Sequence, residues 1–358
     1  MKRLRFRLSY LVISLLTFSF ISCVSSETIE PESPVEKSDE IVLSLSSPAE
    51  LKSRGEHDGF YLRYVAKLFE VNNGTTPDYS TLQRAELIEG KENNKITFKV
   101  NKNEQQKYGI MVFADYIKDD TPDNNNEYKD YYYDTHNSVK NVNSDFKDII
   151  VMYTTPMSSS NTLAAEFFNN DNYDCFSFYS INTKEAGKKL EIKCELTRAV
   201  AKVKLIDNSD DPGTLSNLKI DNLKFFNSYN QRVATKVNNT SFTNKSFDVS
   251  ELLSLKEEEN EGKTIFFFYT FSSEYGTAEY INLGFTTEIK EKPISLSIPV
   301  IENRIRVVQN YITKVRGTLL PQLSVSNDDK GDIILNVSTA QDWGNDKKFD
   351  YDIEKDFN

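Results

Sequence analysis

Histidine is the side chain best suited to moving protons near neutral pH or holding a transition metal, and here it stands only at His57 and His136. His57 lies in RGEHDG and His136 in YDTHN. Neither has H-E-x-x-H spacing or a neighbouring cysteine, so neither reads as part of a zinc site. A G-x-S-x-G elbow, a P-loop and a G-x-G-x-x-G turn are all missing. The 54 Asp and Glu residues leave a pair of glycosidase carboxylates open, but there is no barrel pattern, and Trp343 is the only tryptophan that could line a sugar cleft. The expectation is a chain that is not an enzyme and that carries neither metal nor cofactor.

Two further stretches carry candidate ligand chemistry. Lys118 to Asp130, KDDTPDNNNEYKD, offers oxygen ligands for calcium but lacks the Gly and closing Glu of an EF-hand loop, so it reads as a solvated acidic loop. Tyr131, Tyr132 and Tyr133 could stack on a sugar. Side chains alternate along a strand, however, so all three cannot meet one ligand, and a strand entering a core fits better. Cys175 and Cys194 are either a disulfide or two buried thiols, since spacing does not show whether their Cα atoms come within bonding distance.

The third cysteine, Cys23, has a different context. MKRLRFR is basic and free of acids, and LVISLLTFSFIS (Leu11 to Ser22) is apolar but shorter than the roughly 20 residues a spanning helix needs. That is the layout of a secretory signal. Phe20-Ile21-Ser22-Cys23 resembles a bacterial lipobox, making residues 1–22 the signal peptide and Cys23 the lipidation site. The alternative is an ordinary signal peptide with an incidental cysteine. Residues 23–39, rich in Ser, Pro and Glu, read as a flexible tether. Glu27, Glu30 and Glu32 loosely resemble the acidic surface-export signal of some anaerobe lipoproteins. Removing the signal takes away Lys2, Arg3, Arg5 and Arg7, leaving a chain more acidic than its formal charge of −11. With no cluster of Lys and Arg, nucleic acid is excluded as a partner, and membrane attachment would run through the lipid alone.

The elements that position these residues are strands. LTRAVAKVKLI (Leu196 to Ile206) alternates Ala199, Ala201, Val203 and Leu205 with Lys202 and Lys204, the pattern of a half-buried strand. IVLSLSS places Ile41, Leu43 and Leu45 on one face, and YLRYVAKLFEV places Leu62, Tyr64, Ala66 and Leu68 opposite Arg63 and Lys67. YGIMVFADY is apolar on both faces, as in a strand covered on both sides. QRVATKV reads as a strand, and Pro299 in PISLSIPV marks an edge strand or a strand end. Short helices are expected at Ser160 to Asn170 and at DVSELLSL. Many short strands joined by polar turns predict an all-β sandwich or barrel architecture. A boundary near Lys193 to Arg198 divides the chain into 40–195 and 196–343, with a charged tail at 344–358.

ELTRAVAKVKLI resembles the L-x-R-x-x-A-K/R-V strand of fimbrillins, the type V pilus proteins of Gram-negative anaerobes. IPVIENRIRVVQNYITKVRGTLL and IILNVSTAQDW resemble the C-terminal block of fimbrillin-like lipoproteins, and YLRYVAKLFEV and YGIMVFADY resemble two strands of their N-terminal domain. The resemblance implies two tandem transthyretin-like β-sandwiches in an outer-membrane, lipid-anchored surface protein. Its partners would be other pilus or surface subunits, or host or bacterial surface ligands. In pilus-building members a trypsin-like protease removes the first strand and a strand from the next subunit fills the groove, a case of β-augmentation. IVLSLSSPAELKSRG has the matching layout, which makes Arg54 the candidate cleavage position; the alternative is an unprocessed loop arginine. The tail after Trp343 lacks the alternation of a donor strand, which favours a tip, anchor or non-polymerising relative. A glycan-binding lipoprotein serving polysaccharide capture is the rival reading.

Overall fold

In the computed structural model, the residues described are 39–46, 59–72, 76–101, 103–136, 149–154, 165–207, 215–236, 239–242, 245–247, 257–258, 262–272, 280–289, 292–317, 335–340 and 351–352. Alternation and β-branched or aromatic content make most of them extended. The strands begin with β1 (Glu40–Ser46), β2 (Tyr61–Asn72), β3 (Thr76–Ile88), β4 (Lys95–Lys99), β5 (Gln106–Ile117), β6 (Tyr133–Asp134), β7 (Ile150–Tyr153), β8 (Phe176–Lys184) and β9 (Leu190–Glu195). They continue with β10 (Thr197–Arg198), β11 (Val200–Asp207), β12 (Leu215–Phe226), β13 (Ser228–Asn230), β14 (Thr235–Lys236), β15 (Asn239–Phe242) and β16 (Lys245–Phe247). The last are β17 (Glu257–Glu258), β18 (Gly262–Phe271), β19 (Tyr280–Ile289), β20 (Lys292–Arg306), β21 (Ile312–Gly317), β22 (Leu335–Ala340) and β23 (Tyr351–Asp352).

A three-stranded sheet, β4-β1-β9, faces a five-stranded sheet, β10-β8-β5-β2-β3. Between them Ile41, Leu43 and Leu45 of β1 meet Tyr64, Ala66 and Leu68 of β2 and Ile110, Val112 and Ala114 of β5 in one apolar cluster. A six-stranded sheet, β17-β18-β11-β21-β22-β23, and a five-stranded sheet, β15-β12-β19-β20, share a second cluster. The expected all-β sandwich architecture is what the chain forms.

The two pairs of sheets are built alike. β1 lies between β4, antiparallel, and β9, parallel. β11 lies between β18, antiparallel, and β21, parallel. A fifth sheet, β14-β13-β7-β6, draws strands from both sides of position 195. The second cluster does the same: Tyr133, Tyr153, Phe167 and Tyr173 pack with Phe225, Phe268 and Phe271. Tyr132 and Tyr133 are buried in it, as a strand entering a core requires.

Other expectations meet the structure in detail. β20, which carries Pro299, ends its sheet. Over Ser160 to Asn170 the described part is a 3-10 turn at Ala165–Phe167, with a second at Asp171–Tyr173 capped by Asn170. DVSELLSL lies outside the described residues. QRVATKV is not one strand: 231–234 turn between β13 and β14, with Ala234 at φ +48°. β3 was not anticipated. Lys202 was expected on a solvated face but is 6% exposed. The Asp171 carboxylate 2.7 Å away and the Phe267 ring 3.7 Å away cover it.

Candidate functional site

β1 is the element the fibre-type resemblance singles out, and its sequence explains its seat. EIVLSLS alternates, so Ile41 and Leu43 point inward with no exposure and Leu45 with 6%. Each such side chain contributes roughly 1.5–3 kcal/mol of burial. Antiparallel pairing with β4 runs from Glu40 opposite Lys99 to Ser44 opposite Lys95. Parallel pairing with β9 runs from Ile41 opposite Leu190 to Ser46 opposite Glu195. The ends are tied as well: Val100 N–H donates to Asp39 O at 2.8 Å, and Ser46 Oγ donates to Cys194 O at 3.3 Å. Both edges of β1 are therefore engaged. Withdrawing it would leave β4 and β9 with unpaired edges about two strand spacings, or about 10 Å, apart, room for one replacement strand.

The next strand, β2, belongs to the opposite sheet. Covalently, β1 is joined to it only through the stretch that contains Arg54. Arg54 and Cys23 both lie outside the described residues. Cys175 and Cys194 are placed and are not bridged: each is a buried free thiol. Cys175 belongs to the aromatic cluster and Cys194 to the β1 cluster, so the two sit in separate cores.

Behind β2 lies a polar constellation that the sequence did not announce. Arg63 and Asp115 face each other across the β2–β5 pairing. Their side chains are fully buried and joined at both ends, Nε to Oδ1 at 2.9 Å and one terminal nitrogen to Oδ2 at 2.8 Å. The same guanidinium reaches Asp130 at 2.8 Å and the carbonyl of Tyr128 at 3.0 Å, with Glu86 at 3.5 Å. Arg84 binds Glu86 and donates to Thr135 O at 2.7 Å. Buried Lys67 donates to the same carbonyl at 3.3 Å. His136 Nδ1 stands 2.8 Å from Asp130 Oδ2, and Nε2 stands 3.2 Å from Glu127 Oε2.

The electrostatics follow from this wiring. Burial opposes the Arg63 charge, but Asp115, Asp130 and Glu86 outweigh it and hold the guanidinium more firmly protonated than usual. Burial pushes the Asp115 carboxyl up against the pull of Arg63; the two-point contact keeps the pair ionic. For Asp130 burial also works upward, yet the His136 hydrogen bond and the Arg63 charge win and hold it well below the usual carboxylate range. The hydrogen bond to Asp130 raises His136. When His136 is protonated, it joins Arg63, Arg84 and Lys67 in facing Glu86, Asp115, Asp130 and Glu127. The constellation clamps the acidic loop, through Tyr128, Asp130 and Thr135, onto the outer face of β2 and β3. It has no geometry for a metal: no group of three or more His, Cys, Asp or Glu suited to one is found among the described residues. Its sequence signal was Asp115 inside YGIMVFADY, a run apolar on both faces, where a charge must have a partner.

A family model, "Family of unknown function (DUF6562)", matches residues 31–356. The chain belongs to this family. No curated protein matches it. Among solved structures it is similar to the fimbrial anchor protein Mfa2 from Porphyromonas gingivalis, at 10% identity and TM-score 0.42, over 84% of this chain and 97% of that one. It is also similar to a Bacteroides eggerthii protein provisionally described as a cell adhesion protein, at 12% identity and TM-score 0.45, over 85% and 96% of the two chains. A Bacteroides thetaiotaomicron protein provisionally described as polysaccharide-binding aligns at 9% identity and TM-score 0.44, over 78% and 92%. No helix among the described residues is long and apolar enough to cross a membrane.

Proposed function

We propose that this DUF6562 protein is a cell-surface lipoprotein of fimbrillin type, held to the outer membrane through Cys23, with a structural or adhesive role and no catalysis. Its working element is β1, which leaves after cleavage at Arg54 and is replaced by a strand from another subunit. One observation carries the reading: β1 fills a slot with both edges hydrogen-bonded, while its link to β2 passes through a candidate protease site. The lipobox resemblance and the fimbrillin-like strand motifs support it. Cleavage alone would not release β1, because three buried apolar side chains and two ladders hold it. An incoming strand with apolar residues at alternate positions would have to displace it.

The test is limited proteolysis of the purified chain with trypsin, followed by size-exclusion chromatography. Cleavage at Arg54 with growth of oligomers is expected, and Arg54→Ala should abolish both. Cleavage elsewhere only, or cleavage at Arg54 that leaves the chain monomeric, would sink the strand-exchange reading.

A further inference from the structure

EIVLSLS turns Ile41, Leu43 and Leu45 of β1 into the core and sets Glu40, Val42, Ser44 and Ser46 on the other face. On that outer face the two ladders fix the neighbours, because residues directly opposite in a ladder point to the same side. Glu40 stands opposite Lys99 of β4, and Ser46 stands opposite Glu195 of β9. Ser44 stands opposite Lys95 of β4 and also opposite Lys193 of β9, a serine between two lysines. All four of these flanking charges are exposed.

β1 answers only the first of them. Lys99 Nζ stands 3.1 Å from the Glu40 carboxylate and 3.8 Å from that of Asp39. Lys95, Lys193 and Glu195 form no ion pair among the described residues. The remaining carboxylate of this rim, Glu191 opposite Val42, is held by Lys189 at 2.7 Å. β1 thus seats its apolar side chains but leaves a pair of positive charges unmatched at mid-strand.

That pattern specifies what a replacement strand should carry. An acid in the place of Ser44 would meet a lysine on each side. An acid in the place of Ser46 would meet Glu195 instead. Opposite charges directly across a ladder stabilise it and like charges destabilise it. The rim therefore favours one sequence in one register and opposes the same sequence slipped by two residues.

We propose that the β1 slot selects an acidic donor strand. Read in the direction of β1, it has acids in the places of Glu40 and Ser44, apolar residues in those of Ile41, Leu43 and Leu45, and no acid in that of Ser46. Such a strand displaces β1 because it keeps the buried contacts and adds two cross-strand ion pairs. The inference rests on the strand-exchange reading and supplies the chemistry of the partner.

The test takes the detergent-solubilised chain cleaved at Arg54 and measures binding of fluorescent seven-residue peptides by anisotropy at low salt. The peptides have the β1 sequence unchanged, with Ser44→Glu, or with Ser44→Lys. The Ser44→Glu peptide should bind about fivefold tighter than the unchanged one and the Ser44→Lys peptide about fivefold weaker, as two exposed cross-strand pairs imply. High salt should narrow the spread, and Lys95→Ala/Lys193→Ala in the chain should abolish it. Equal binding of all three, or a preference for Ser44→Glu that survives the lysine variant, overturns the proposal and leaves strand exchange standing. If no peptide enters, strand exchange fails and the proposal fails with it. The uncleaved chain checks the rim with no strand leaving: Ser44→Glu should raise the melting midpoint and Ser44→Lys lower it, and the opposite order overturns the charge reading.

Discussion

Arg63 and Asp115 are direct cross-strand partners whose side chains meet at two points, 2.9 and 2.8 Å apart, with no solvent exposure. Such a pair gains stability only while both members are present, because either one alone is a buried uncompensated charge. Arg63→Met should therefore cost about 3–5 kcal/mol in urea unfolding. The double variant Arg63→Met/Asp115→Leu should recover much of that loss. A double variant no better than the single one would show that Arg63 matters mainly through Asp130 and Glu86.

His136 gives this constellation a pH dependence. Its folded pKa is raised above the ordinary 6.5, so its contribution is complete below about 6.5 and is lost as pH rises through the folded value. Asp130, lowered from 3.8, works at the other end: its contribution is complete above about 3.8 and is lost as pH falls through its folded value. Wild-type melting temperature should decline on the alkaline side of 6.5, and His136→Gln should flatten that limb while leaving the acid limb in place. Equal slopes in the two proteins would rule His136 out as the source.

Gly109 lies opposite Phe69 in the β2–β5 register, and the Phe69 ring occupies the space where a side chain would be. A Cβ at Gly109 would sit 2.2 Å from that ring. Gly109→Ala should destabilise by about 1–3 kcal/mol, the cost of overpacking a filled core. Phe69→Leu in the same chain should relieve part of it, as read by the denaturation midpoint.

The separate burial of Cys175 and Cys194 also makes a prediction. Burial pushes both thiols up, Cys194 to about 12, so little thiolate forms near neutral pH. Alkylating reagent should leave both untouched in the native chain and modify both after denaturation without reductant. A reductant should not shift the melting midpoint. Recovery of a disulfide-linked peptide pair would contradict the structure at these positions.

The sandwich architecture was legible because β1, β2, β5 and β11 carry clean alternation or a continuous apolar run, and period is what a covered sheet face imposes. β3 escaped notice because its bulge breaks the period at 79–82. Lys202, Arg63 and Lys67 were legible as to face but not as to burial. What covers that face is the Asp171 turn or the acidic loop, and local pattern does not report a covering made by distant chain. The same reason hid the aromatic cluster that straddles position 195: Tyr133, Tyr153 and Tyr173 each look like an ordinary strand or turn residue until β7 pairs with β13.

The position of β1 has a mechanical meaning. Were the chain held through Cys23, as proposed, a pull directed along the strand would reach β1 before any other described strand. Hydrogen bonds to β4 and β9 then resist together, sliding sideways as a set instead of parting one after another from an end. On the proposed reading the exchanged strand and the strand under tension are the same, and an incoming strand would inherit that duty along with the slot.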